Sequence, residues 1–200
     1  DTLIDFVFAE MHHPFKSELW TPGEADYTGD VVEMMEAFTE TCGKPTIHFF
    51  GHTHAYSRGQ SRDHDHLWVN VATSGGNIDY WGEFSNADYE EFIISQDEYG
   101  FVMVEVTAGA QPKFVLKRLS FGDQFNPGGS TETDMVTIRK NNAPPTTPCP
   151  LFPLATDTVS SVCTMLKADP FADPDGDEFG AAHWQVSTDS ANFSAPVYDS

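Results

Sequence analysis

Apolar residues come in short bursts along this chain, and their spacing predicts most of its elements. Leu3-Ile4-Asp5-Phe6-Val7-Phe8-Ala9 is a brief, mostly apolar run, the pattern of a strand buried on both faces. A polar loop follows from Pro14 to Gly29. Val31, Met35, Phe38 and Cys42 then recur at spacings of four, three and four, the stripe of an amphipathic helix. This places Cys42 as a small core residue. Asp30 or Thr28 suits its N-cap, and Gly43 stands where a terminating glycine belongs. Thr46-Ile47-His48-Phe49-Phe50 reads as a second buried strand, so the first 50 residues form a βαβ unit with parallel strands. Beyond it, Leu67 to Thr73, Phe92 to Ser95, Phe101 to Thr107, Phe114 to Leu119 and Met135 to Ile138 are strand-like, with Gly, Pro, Asn and Asp between them.

The stretch from Asn141 to Pro150 has four prolines and almost no apolar side chains, and reads as an extended linker. Three regions are expected: residues 1–140, the linker 141–150, and residues 151–200. In the last region Val159 to Leu166 and Ala182 to Ser187 suit strands of an all-β module.

Charge narrows the function classes. The 200 residues carry a formal charge of −21, so the clustered Lys/Arg that a phosphate backbone requires is missing. Nucleic acid and anionic lipid are excluded as expected partners. No apolar run is long enough to span a membrane. The chain opens at Asp1 on a strand-like run and closes just after Pro196-Val197-Tyr198, so it reads as a fragment cut at both ends. Cys42, Cys149 and Cys163 form no C-x-x-C pair, which removes thiolate zinc sites and thioredoxin-like redox chemistry. Cys149 and Cys163 remain either two separate thiols or a bridge.

Histidines carry the candidate chemistry. Met11-His12-His13-Pro14 and Gly51-His52-Thr53-His54 each follow a strand of the same βαβ unit directly. Ligands of open α/β sheets bind outside the carboxyl ends of the strands, so the two groups belong on one rim. His52 and His54 are two apart, which in extended backbone turns both imidazoles to the same side. Neutral imidazole suits zinc, iron and similar ions. A lone H-x-H is an ordinary surface loop; with a glycine, a buried strand and more histidine on the same rim it reads as a metal site. Asp63-His64-Asp65-His66 has the composition of a metal clip but reads as a solvated loop. The same holds for Asp79 to Glu98, with seven acids and no base. His48 reads as a core residue, and His183 as part of a strand.

Gly51-His52-Thr53-His54-Ala55-Tyr56-Ser57-Arg58 resembles the GHxHxYxR motif of calcineurin-like metallophosphoesterases, in particular the purple acid phosphatase branch. Met11-His12-His13-Pro14 resembles the H-x-P motif of that family, and Ala72-Thr73-Ser74-Gly75-Gly76-Asn77 and Tyr99-Gly100-Phe101-Val102 its later strands. The resemblance covers about residues 3–120. It implies an α/β fold, the C-terminal half of a four-layer αββα sandwich. It also implies two metal ions of iron, zinc or manganese, with His12 and His52 on the second and His54 on the first. His13 either faces substrate or packs behind the ligands. Tyr56 and Arg58 either brace the loop or touch substrate.

The Asp-x-His, Gly-Asp-x-x-Asp and Gly-Asn-His-Glu/Asp motifs of the family are absent from the chain and expected before Asp1. The histidine that assists the leaving group would lie there, so no catalytic residue is assigned here and the 200 residues alone are expected to be inactive. The implied reaction is hydrolysis of a phosphate ester, most simply a monoester. The alternatives are a phosphodiesterase or nucleotidase on the same fold, or a non-catalytic surface adhesion or binding protein that keeps the scaffold. Asp169 to Asp177 resembles the Asp-rich turns of bacterial surface Ig-like, fibronectin III-like or cadherin-like repeats, either a calcium site or a plain acidic turn. That resemblance implies a secreted or cell-surface protein, with attachment through the accessory β-domain.

Overall fold

The computed structural model describes residues 3–154, 156–160, 162–177, 179, 182–189 and 191–199. The chain forms two units, Asp1–Asn142 and Ala143–Ser200.

The first unit begins with the βαβ motif. Strand β1 (Val7–Glu10) leads through a short 3-10 turn (Thr21–Gly23) to helix α1 (Asp26–Cys42), and then to β2 (Thr46–Phe50). The two strands are parallel, with Val7 beside Thr46 and Glu10 beside Phe49. β3 (Tyr56–Gln60), β4 (His66–Val71) and β5 (Phe92–Gln96) complete a sheet of order β1-β2-β4-β3-β5. β4 runs parallel to β2, while β3 is antiparallel to both β4 and β5. β6 (Gly100–Thr107), β7 (Lys113–Gly122) and β8 (Pro127–Arg139) form a separate antiparallel sheet.

Side-chain alternation along β2 and β4 places these layers. Ile47, Leu67 and Val69 join Tyr56 in one core with Phe114 and Leu116 of β7, so this face packs on the second sheet. Phe50 and Trp68 point the other way and pack with Val32 of α1 and with Phe92. The layers of the unit are helix, sheet, sheet.

The four-layer αββα architecture is not formed. The chain is 10% helix and 35% strand, in several small sheets, with one α-helix. Among the described residues no helix covers the second sheet, and Phe101, Met103 and Val106 of β6 are exposed.

Three local expectations also change, the first being the helix start: α1 begins at Asp26 with Ala25 at its N-cap, so Thr28 and Asp30 lie inside it. β1 is shorter than the apolar run and lies at the sheet edge, so Leu3, Ile4 and Phe8 are exposed and not buried on both faces. The inward face of α1 is Thr28, Gly29, Val32, Met35 and Thr39, while Val31, Phe38 and Cys42 are exposed. The face is rotated because Thr39 has a partner in the sheet: its hydroxyl is 2.7 Å from that of Thr46. The helix ends as expected at Gly43, whose φ of 59° is the left-handed conformation glycine accepts at little cost.

In the second unit the expected sandwich is replaced by two short antiparallel ribbons, β9 (Pro150–Phe152) with β10 (Lys167–Ala168) and β11 (Gln185–Val186) with β12 (Tyr198–Asp199). Residues 159, 160 and 162–166 form no strand, and Ser161 lies outside the described residues. No described side chain of this unit is fully buried, so the apolar runs read as strands have no core to join. His183 precedes β11 and pairs with Asp199 instead of lying in a strand. Cys149 and Cys163 are separate thiols. Among the described residues, no helix is long and apolar enough to cross a membrane.

Candidate metal centre

Both histidine groups lie just past the carboxyl ends of the neighbouring parallel strands β1 and β2. The connection after β1 bends at His12 and His13, and the Gly51 amide donates to the His12 carbonyl at 3.1 Å, holding the two loops together. His12 Nε2 and His52 Nδ1 are 3.2 Å apart. His13 joins them, with its ring centroid 4.3 Å from that of His52 and 4.8 Å from that of His12. One ligand nitrogen from each of the three falls within a common 4.8 Å, the metal-capable cluster among the described residues.

The loop is fixed from beneath. Asn70, buried on β4, donates its amide to the Thr53 carbonyl at 3.0 Å, and the Ser17 hydroxyl bonds the buried Thr53 hydroxyl at 2.8 Å. His52 itself takes a left-handed backbone conformation, with φ at 68°. For a residue with a Cβ this is an uncommon conformation, held only where the surroundings impose it. The Trp20 ring packs beside His52 at 5.1 Å, with Phe84 behind Trp20. Burial and then the neighbouring His13, His12 and His54 lower the pKa of His52, which favours the neutral, ligating imidazole.

His54 stands apart from the cluster. Its Nδ1 is 2.6 Å from the Asn77 carbonyl, which can only accept, so Nδ1 carries the proton and Nε2 keeps a lone pair. The His54 amide donates to Asp79 at 2.8 Å. Gly76 lies so close beneath the ring that a Cβ there would come within 2.8 Å of it.

Tyr56 and Arg58 turn away toward the second sheet. Tyr56 is fully buried and donates its hydroxyl to Asp134 of β8 at 2.5 Å; Arg58 binds the same carboxylate with two nitrogens at 2.6 and 2.8 Å. Both therefore brace the strand that follows the histidine loop. Burial pushes the Asp134 pKa up, but its bonds to Arg58 and Tyr56 outweigh that and hold it below the usual carboxylate value.

A second histidine pair lies inside the core. Thr46 and His66 are register partners on β2 and β4, and the Thr46 hydroxyl is 2.7 Å from His66 Nδ1. His66 Nε2 is in turn 2.8 Å from His48 Nδ1. Both rings are fully buried. Burial lowers the His48 pKa to about 3 and the His66 pKa to about 4. His66 is therefore no part of a metal clip with Asp63 and Asp65. The Asp173 carboxylate accepts the backbone amides of Asp175 and Asp177, so it serves the turn itself.

Sequence reasoning missed Trp20, Tyr27, Asn70 and Asp134. Asn70 left a trace, as a polar residue inside Leu67-Trp68-Val69-Asn70-Val71 at the end of a strand. Asp134 left none, being 76 positions from Arg58.

Comparison with protein-family models and with curated proteins gives no match. Among solved structures the chain is similar to GAP50, the anchor in the inner membrane complex of Plasmodium, with 13% identity and a TM-score of 0.44. The match covers 64% of this chain and 36% of that one. A likeness of that size carries no argument about function.

Proposed function

We propose that this chain carries the histidine part of a metal centre that hydrolyses phosphate esters, most simply monoesters, in a secreted or surface-attached protein. The observation that supports this reading is the 3.2 Å approach of His12 Nε2 and His52 Nδ1 beyond two parallel strand ends. Imidazole nitrogens bound to one zinc-like ion at about 2.1 Å stand roughly 3–3.5 Å apart, so the donor set fits a metal with little movement. His54, with its Nε2 lone pair free, would serve a neighbouring ion.

Metal ions held by His12 and His52, with His54 beside them, would lower the pKa of a water and neutralise charge on a phosphoryl group. The chain's own residues act by position. Asn70 and Ser17 fix the backbone of the loop, Asn77 sets the His54 tautomer, and Trp20 shields one side of His52 from water. The charge of −21 opposes an anionic substrate at long range, so the bound cations would have to reverse the local potential.

The test has two parts. The 200-residue chain should bind divalent metal and leave p-nitrophenyl phosphate unhydrolysed. A longer protein that also supplies the Asp, Asn and His motifs should hydrolyse it in a metal-dependent way, and His52→Ala should remove that activity. Failure of the chain to bind divalent metal, or metal-independent turnover by the longer protein, overturns the reading.

A further inference from the structure

We propose that His13 is a metal ligand together with His12 and His52, and that Tyr27 positions it. This rests on the metal-centre reading above but changes the ligand set: three imidazoles from two loops form one metal-binding face, and His54 lies outside it.

Backbone geometry makes the assignment possible. Consecutive residues of a strand point to opposite sides, so a histidine pair still in β1 would send only one ring to the rim. Here β1 ends at Glu10 and the chain bends at His12 and His13 before Pro14. Both rings then lie against His52, at centroid distances of 5.1 and 4.3 Å. Three ligand nitrogens lie within 4.8 Å of one another, and the His12–His52 pair is already at ligand spacing.

Tyr27 gives the second, independent observation. It lies in the first turn of α1, and its hydroxyl oxygen is 2.5 Å from His13 Nδ1, with the two rings edge to face at 5.6 Å. With Nδ1 engaged there, Nε2 is the nitrogen left to ligate. The required tautomer has Nδ1–H donating to the phenol oxygen, the arrangement by which an outer partner orients a ligating histidine. Tyr27 is largely exposed, so its contact with His13 is not a by-product of core packing. His54 is not among the three clustered rings.

The experiment is a titration of the full 200-residue chain with Co²⁺, read by visible ligand-field absorption and calorimetry, with circular dichroism to confirm that each variant is folded. His13→Ala should weaken binding at least about tenfold and shift the absorption band, because a ligand is lost. Tyr27→Phe should weaken it by about tenfold, the lower end for loss of an orienting partner. His64→Ala, a histidine outside both loops, should leave the affinity of the site within about twofold. Unchanged binding in His13→Ala, alongside losses in His12→Ala and His52→Ala, overturns the role of His13 and leaves the metal-centre reading standing. A loss in His64→Ala equal to that in His13→Ala overturns the three-histidine face. Absence of Co²⁺ binding by the unmodified chain overturns both.

Discussion

Two histidine pairs belong to the parallel part of the sheet, β1, β2 and β4, and meet opposite fates. His48 and His66 lie within β2 and β4, 2.8 Å apart, under α1. His12 and His52 each lie two residues past the ends of β1 and β2, 3.2 Å apart and open to solvent. Inside the sheet each ring must satisfy itself with protein partners, and the Thr39–Thr46–His66–His48 chain does so at every link except its end, where His48 Nε2 is left unpaired. Past the strand ends the two rings meet each other at hydrogen-bond distance, open to solvent. Where a histidine falls relative to the end of its strand decides whether it is held by core partners or left open at the rim.

Removing one histidine of each pair should separate the two roles. His66→Ala empties a buried site and strips partners from both Thr46 and His48, so the loss should be about 2–4 kcal/mol by denaturant unfolding. The metal affinity of the folded fraction should not move; a parallel fall in affinity would show that the pairs are not independent. His52→Gly should do the reverse. Metal affinity should drop about 100-fold, while metal-free stability should rise by roughly 0.5–1 kcal/mol as the left-handed residue is relieved. A metal-free protein less stable than the original would mean that His52 is not strained.

Acid should then distinguish the pairs without mutation. An unfolded histidine takes up its proton near pH 6.5, whereas the buried pair resists until about pH 4 and below. The unfolded chain therefore binds more protons in that window. The contribution of the pair should be complete above pH 6.5 and decline steadily as pH falls toward 4, well before Asp134 titrates. A denaturation midpoint flat from pH 7 to 4.5 would contradict it. The smallest change is Thr39→Val, which breaks the outer link of the chain and should cost about 1 kcal/mol with no effect on metal.

What the sequence shows of this fold follows how local each cause is. β2 is legible to the residue because Thr46-Ile47-His48-Phe49-Phe50 is a continuous buried run. The helix is legible in place but not in phase, since Thr39 turns inward through a hydrogen bond to Thr46 that apolar spacing does not record. β3 is invisible: Tyr56-Ser57-Arg58-Gly59-Gln60 has no strand pattern, and it is buried only because Asp134 and Ser95 answer its polar groups. The helical layer expected on the far side came from the resemblance and from no pattern in residues 100–139. Within the site the histidines announce themselves by motif. Tyr27, Trp20 and Asn70 do not, because each gains its role from a neighbour that only the folded chain supplies.

The bond between Arg58 and Asp134 sets an order of events during synthesis. The histidine loop leaves the ribosome about 80 residues before the carboxylate that secures the strand behind it. Until then β3 cannot be buried without leaving a guanidinium unpaired, at a penalty of about 3–5 kcal/mol. β3 therefore stays unlocked while β4 to β7 are made, and the strand behind the histidine loop is secured only once β8 has emerged.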